Sequence, residues 1–540
     1  MTEPEFRELP TPQPLAPIPE GKKPSALEHL LARRALLIGL VAVGLVITFV
    51  SAVLLATGAL GRSGLTFEAP RSLEELSEQY PELADLFADP TLGSVYKEFL
   101  VAYESGGVDE ARELAMQRGL LNDRDEVRIT LVVDDAQYVP AIVEELRGVG
   151  ITVEGSYQER INVGVPLALI EQLAEQEGTD ALFARLTQME HIVRLELPTI
   201  RRSDAMLLVP GEGVPLTHAD AWQAAGWTGA SIRVGVLDLG FDGYRSLLGS
   251  DLPESVVAES FVYGEEPDGS GEVHGTACAE IVHEMAPDAE LYFAYYDGSA
   301  VSMGQAVDWL LAQGVQIISN STTGVVGPMD GSDSDAEMVD NVVRQGVLWV
   351  NSAGNSAQDH YRGQFKDTDD DGVHEFPDDT EAMLIYAYDS NVVLALNWDD
   401  WQRVREDYDL YLFDQNGDLM AAAEDIQDGT PGQSAAEVLA LYGVPEGTYY
   451  VQIRADTITR PGILYLYAHG AEIEFPVAEH SLCSPADAVG ALAVGATEYR
   501  DDSLATYSSQ GPSNDGRLKP DISAPAGVSS ASYAPHVFDG

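Results

Sequence analysis

The first long apolar run of the chain comes early. Residues 35–60 carry no charge and follow directly on Arg33-Arg34. A span of that length exceeds the roughly 20 residues that a bilayer crossing needs. It is also longer than the apolar core of a cleavable signal peptide, about 7–15 residues. The pattern predicts one N-terminal transmembrane helix acting as a signal anchor, a cytoplasmic Pro-rich tail over 1–34, and export of everything beyond. The expected localisation is therefore a single-pass membrane protein with an extracytoplasmic body. Residues 61–125 show helical periodicity, as in Ser72-Leu-Glu-Glu-Leu-Ser-Glu-Gln79 and Asp109-Glu-Ala-Arg-Glu-Leu-Ala115, and read as a helical spacer beside the membrane.

From Glu126 the period changes to two. Strands are predicted over 127–133, 151–157, 160–165 and 191–197, with helices over 138–149 and 167–176. That is the β-α-β-β-α-β order of a ferredoxin-like α+β domain, placed at 126–200. From residue 214, strands at 234–237, 290–295, 316–320 and 347–351 alternate with helices starting at His274 and over 302–313 and 335–345. This α/β pattern predicts a parallel sheet with helices on both faces, whose chemistry belongs at the carboxyl ends of the strands. The pattern breaks over 364–477. After an acidic loop, 382–469 alternates in Val392-Val-Leu-Ala-Leu-Asn-Trp398, Tyr408-Asp-Leu-Tyr-Leu-Phe413 and Gly447-Thr-Tyr-Tyr-Val-Gln-Ile453, with turns such as Gln415-Asn-Gly-Asp418 between. An all-β sandwich is expected there, inserted between parts 214–363 and 478–540 of the parallel-sheet domain.

Charge narrows the partners. With 30 basic and 88 acidic residues the formal net charge is −58, a surface that repels nucleic acid. Two cysteines, Cys278 and Cys483, cannot build a disulfide framework. Cys278 reads as a small buried apolar residue.

Three stretches carry candidate chemistry. Ser231-Ile-Arg-Val-Gly-Val-Leu-Asp-Leu-Gly240 ends a strand on Asp238. Glu272-Val-His-Gly-Thr-Ala-Cys-Ala-Glu-Ile281 delivers His274 to the start of a helix, with Thr276 available as its cap. Gly346-Val-Leu-Trp-Val-Asn-Ser-Ala-Gly-Asn355 ends a second strand near Asn355. Each residue alone has an ordinary structural explanation. Together, acid before base, they follow one of the known catalytic-triad orders in which serine comes last. These motifs resemble the subtilisin-like serine peptidases over 214–363 and 478–540. The resemblance implies Asp238 as the acid, His274 as the base and Asn355 as the oxyanion amide. It also implies Ser321, Ser352, Ala353 and Gly354 as the lining of the substrate groove, polypeptide substrates, and no cofactor for catalysis. The ferredoxin-like domain then resembles the family's propeptide, a folding chaperone and inhibitor, with processing after Leu197. The all-β insert resembles the bacterial pre-peptidase C-terminal domain.

The nucleophile has two readings. The family motif is Gly-Thr-Ser, small residues, then Pro-His-Val. Ala534-Pro-His-Val537 offers the second half but puts Ala531 in the serine's place, with Ser530 and Ser532 one position off and a very short loop after Pro525. Alternatively, Phe538-Asp-Gly540 approaches Gly-Thr-Ser, and the serine follows Gly540. The second reading is favoured, and on it these 540 residues alone do not hydrolyse peptides by the triad. The rival expectation is a non-catalytic cell-surface binding protein on a degenerate peptidase fold.

Asp367-Thr-Asp-Asp-Asp-Gly-Val-His-Glu375 places carboxylates at alternate positions with glycine after the third. Asp367, Asp369 and Asp371, the Val373 carbonyl, and Glu375 or Asp378 are expected to wrap a structural calcium ion. Asp407, Asp409 and Asp414 read as exposed turn carboxylates.

Overall fold

The computed structural model describes residues 67, 73–198, 202–203 and 211–533. The apolar span 35–60 lies outside these residues, as do most of the segment after Leu197 and the stretch 534–540. Among the described residues no helix is long and apolar enough to cross a membrane.

Strands β1 (Glu126–Val133), β2 (Thr152–Tyr157), β3 (Arg160–Pro166) and β4 (Ile192–Glu196) form an antiparallel sheet in the order β2-β3-β1-β4. This is the ferredoxin-like arrangement. Val127, Ile129 and Leu131 point to one face and are fully buried, as a period of two requires. Two helices follow the expected order, α2 (Val139–Gly148) and α3 (Leu167–Glu177), and a third, α4 (Ala181–Thr187), was not anticipated from the sequence. Residues 73–117 are also not a separate spacer. Their main helix, α1 (Ser94–Gln117), is broken at Gly107 (φ 74°). Its Tyr96 and Phe99, with Leu83 and Phe87 just upstream, lie in the same core as the strands. The Tyr96 hydroxyl donates to the carbonyls of Arg128 and Glu196 at 3.0 and 3.1 Å. An amphipathic helix beside an uncovered sheet face buries its apolar stripe there.

A seven-stranded parallel sheet follows, in the order β22-β21-β11-β9-β6-β8-β7. Its members are β6 (Arg233–Asp238), β7 (Val257–Ser260), β8 (Glu290–Tyr295), β9 (Ile317–Asn320), β11 (Leu348–Ser352), β21 (Leu492–Glu498) and β22 (Ile522–Ala526). Helix α5 (His274–Met285) belongs to a core with Val234, Val236 and Phe293. Helices α6 (Ala300–Gln313) and α7 (Ser334–Arg344) belong to a second core with Leu237, Ile318 and Trp349. Two cores on alternating residues of one strand make β6 apolar nearly throughout, as in sheets covered on both faces.

Between β11 and its parallel neighbour β21 the chain builds two antiparallel sheets, β12-β19-β14-β17 and β16-β15-β18-β13-β20. They are made of β12 (His360–Gln364), β13 (Met383–Ala387), β14 (Asn391–Trp398), β15 (Asp407–Phe413), β16 (Leu419–Ala423), β17 (Ala436–Tyr442), β18 (Gly447–Thr457), β19 (Ile463–His469) and β20 (Ala471–Ile473). Both sheets contribute to one core around Trp398, Tyr408 and Leu394. This two-sheet insert starts at His360 rather than 364, because β12 pairs with β19. Asp407 is 6% exposed inside a strand, not in an open turn. Cys278 and Cys483 are buried thiols and form no disulfide.

Candidate active site

Asp238 is the last residue of β6 and His274 the first of α5, and both side chains are fully buried. Their contact is close: His274 Nδ1 stands 2.8 and 2.9 Å from the two Asp238 oxygens. A carboxylate only accepts, so in the neutral imidazole Nδ1 carries the proton and Nε2 the lone pair. Leu239 N–H also donates to Asp238 Oδ1 at 2.8 Å, and Glu272 accepts from the backbone N–H of His274 at 3.0 Å. Burial by itself lowers the imidazole pKa, but the Asp238 carboxylate and, after it, Cys278 outweigh that, and the net shift is well upward.

Close packing fixes the pair. A Cβ at Gly275 would sit 2.5 Å from the Gly240 carbonyl and 2.7 Å from Asp238 Cβ, so only glycine lets α5 start against the β6 loop. Thr276 does not cap the helix; its hydroxyl donates to the Asp242 carbonyl at 3.0 Å and ties down that same loop. Cys278 Sγ lies 3.8 Å from His274 Nδ1, one turn along.

Asn355 lies just past β11, half-buried at the same carboxyl edge of the sheet. With β9 between them, β11 and β6 stand about 10 Å apart, two strand spacings. The backbone on either side of Asn355 is pinned. Ser509 N–H donates to the Gly354 carbonyl at 2.8 Å, and Ser356 N–H donates to Ser509 Oγ at 2.9 Å. Gly354 has φ +101°, and a Cβ there would meet Cys483 Sγ at 2.6 Å. Ala353 is buried, Ser352 and Ser321 half-buried, all along this edge. Beneath it is a polar network that sequence reasoning missed. Asn320 Nδ2 and Trp349 Nε1 donate to Asn351 Oδ1 at 2.8 and 2.9 Å. Thr322 Oγ1 donates to Asn320 Oδ1 at 2.8 Å and also meets the Tyr296 hydroxyl. The strand-ending asparagines were visible as a signal; their pairing across β9 and β11 was not.

A strand of the chain itself lies along the edge. β5 (Arg202–Ser203) pairs antiparallel with β10 (Thr322–Thr323), immediately after Ser321. The ferredoxin-like domain abuts the parallel-sheet domain nearby, where Asn162 Nδ2 donates to Ser299 Oγ at 2.9 Å and Gln305 Nε2 to the Ser156 carbonyl at 3.2 Å.

The Peptidase_S8 description, the Subtilase family, matches residues 229–392 and 442–537, which hold this edge, the acid and the base. This domain belongs to the subtilase family. Subtilisin DY of Bacillus licheniformis is 30% identical over 158 residues, 27% of this chain and 54% of its own. M-protease of Shouchella clausii (strain KSM-K16) is 31% identical over 208 residues, 35% of this chain and 52% of its own. The chain thus spans about half the length of the curated relatives it matches. The solved structure of the Clostridium perfringens CspB protease aligns at 15% identity and a TM-score of 0.41, over 58% of this chain and 79% of that one.

The segment that carries Ser530 and Ser532 is tied to α5 through Glu280. The backbone N–H groups of Ala531 and Ser532 donate to the Glu280 carboxylate, the second at 3.0 Å. Glu280 is six residues beyond His274, about 9 Å along the helix.

In the acidic loop, ligand atoms of Asp367, Asp369 and Asp371 lie within 4.8 Å of one another. Part of their capacity is used locally. Asp367 accepts from the N–H groups of Asp370 and Gly372 at 2.8 and 2.9 Å, and Asp371 from Val373 at 2.9 Å. Glu375 faces Lys366, with Nζ at 2.6 Å, and accepts from Thr368 N–H at 2.9 Å. Lys366 also reaches Asp379 at 2.6 Å, the neighbour of Asp378. Three carboxylates therefore lie close enough to share a cation, and Glu375, one of the two further carboxylates expected, is ion-paired with Lys366 instead.

Proposed function

We propose that the chain is the anchored, propeptide-bearing part of an extracytoplasmic serine endopeptidase of subtilisin type. The observation that carries this is the buried Asp238–His274 hydrogen bond at 2.8 Å, which leaves Nε2 as the acceptor. In this reading the nucleophile is the serine of the Gly-Thr-Ser motif that Phe538-Asp-Gly540 leads into. His274 Nε2 takes its proton as it attacks the scissile carbonyl. Asp238 stabilises the imidazolium, and the proton later passes to the leaving amine. The Asn355 amide donates to the developing oxyanion. The edge containing Ser321 and residues 352–354 binds substrate as an added strand, the mode β5 uses against β10.

The ferredoxin-like domain then acts as the inhibitor, its C-terminal extension occupying the groove. Residues 35–60 anchor the molecule, with Arg33-Arg34 on the cytoplasmic side. Asp367, Asp369 and Asp371 bind calcium as a structural ion. A fluorophosphonate probe tests the enzymatic claim on a chain extended through Thr-Ser. Labelling of that serine, lost on His274→Ala, is expected. Silence from a folded, extended protein points to the non-catalytic binding reading instead.

A further inference from the structure

The two-sheet insert touches the ferredoxin-like domain directly, although the whole first part of the parallel sheet separates them in sequence. The contact is built on one carboxylate. Asp425 Oδ2 accepts from Arg194 of β4 at 2.7 Å, and Arg194 is 5% exposed. Asp425 Oδ1 accepts the backbone N–H of Ser94, the first residue of α1. The N-cap position of that helix is Gly93, which has no side chain to cap with. The insert therefore supplies the missing cap from another domain, where an anion is favoured by the helix's exposed N–H groups.

The surroundings are arranged around Asp425. Its own N–H donates to Glu437 Oε1 at 3.0 Å, and Gln427 Nε2 donates to the same oxygen at 2.6 Å, which fixes the loop. Lys97 lies one turn into α1. It is 7% exposed, and its Nζ is buried without a hydrogen-bond partner, in the field of Asp425 and Glu437. At the far end of α1, Arg118 donates to the Met420 carbonyl at 3.4 Å. The Tyr442 ring there covers Gly119, leaving no room for a Cβ, which would come within 2.3 Å. Arg194 and Lys97 are thus set against insert carboxylates, while Arg118 pairs with Glu98 of α1 itself at 2.8 Å.

We infer that the insert is a docking surface for the ferredoxin-like domain, a second grip away from the substrate groove that holds this domain in place once the connecting segment is cut. Buried, hydrogen-bonded charge pairs of this kind govern dissociation more than association. The grip prolongs the inhibited state, and that consequence rests on the peptidase reading; the docking itself does not.

The test needs no catalysis. A specific protease site is placed in the segment 204–210 of the full chain, the chain is nicked, and release of the N-terminal fragment is timed after dilution. Wild type is expected to retain the fragment. Asp425→Asn is expected to shorten its half-life about tenfold or more. Asn162→Ala, on the groove side, serves as the comparison for loss of one ordinary contact. Hydrogen exchange at the Ser94 amide in the un-nicked chain gives a second readout, expected to rise in Asp425→Asn alone. Half-lives within twofold of wild type in folded variants, with unchanged Ser94 exchange, overturn the inference. Immediate release from the wild type overturns it as well. Faster release in a protein that never labels with fluorophosphonate would leave the docking standing and remove only the peptidase reading.

Discussion

At the scale of single residues, the site depends on which nitrogen of His274 holds the proton. Asp238→Asn presents an amide that can donate, so Nδ1 then becomes the acceptor and Nε2 the protonated atom. On the proposed reading this change should cut turnover about 10⁴-fold, as it does in other triads. Asn355→Ala should cost about 10²–10³, the size measured for the oxyanion amide of a subtilisin, with little effect on KM. Asp407 gives a stability prediction. Burial pushes its carboxyl up to about 7, with Asp456 and Asp425 adding to the effect, and its Oδ1 has no partner. The folded value is above the unfolded one of about 3.9. The native state therefore holds a proton that the unfolded chain releases, and stability falls as pH rises from about 4 to 7. Asp407→Asn should flatten that dependence and raise Tm at pH 7.5 by about 2–4 °C for each kcal/mol relieved. Melts from pH 4 to 7.5 check it. Asp238, His274 and Asn355 were legible because each ends or starts an element inside its own short motif. The environment of Asp407 was not, because the groups that bury it come from distant strands and from α1.

At the scale of elements, α5 shows why a motif is longer than its reactive residue. Gly275 lets the helix begin against the Gly240 carbonyl, both atoms being backbone that cannot swing aside. Gly275→Ala should destabilise the domain by about 1–3 kcal/mol and lengthen the Asp238–His274 contact. Urea melts and the His274 titration would report these two effects separately. Of the parallel strands, β6, β8, β9 and β11 were readable from their apolar runs. β7 was not, since Val257–Ser260 is a short edge strand with little apolar content. Helix α4 was hidden for a similar reason, seven residues between turns. In the acidic loop, millimolar calcium should raise Tm, and the rise should vanish in Asp369→Asn/Asp371→Asn. Unchanged melts and no bound metal in the wild type would remove the cation from this account.

At the scale of the molecule, the sequence divides into segments that the fold does not keep separate. Periodicity assigns residues 61–125 to a spacer, yet from Leu83 onward they complete the core of the ferredoxin-like domain. It assigns the all-β segment to a sandwich inserted in the parallel-sheet domain, yet that segment caps α1 and pairs with Arg194. Periodicity reports which face of an element is apolar but not which distant element covers it. The direct test of the central claim is the imidazole titration of His274, followed by NMR in the wild type and in Asp238→Asn. A buried carboxylate at 2.8 Å predicts a low-field Nδ1 proton and a titration well above the ordinary value near 6.5, both lost in the variant. A His274 that titrates at or below 6.5, unchanged by Asp238→Asn, would contradict the acid–base pair on which the peptidase reading stands.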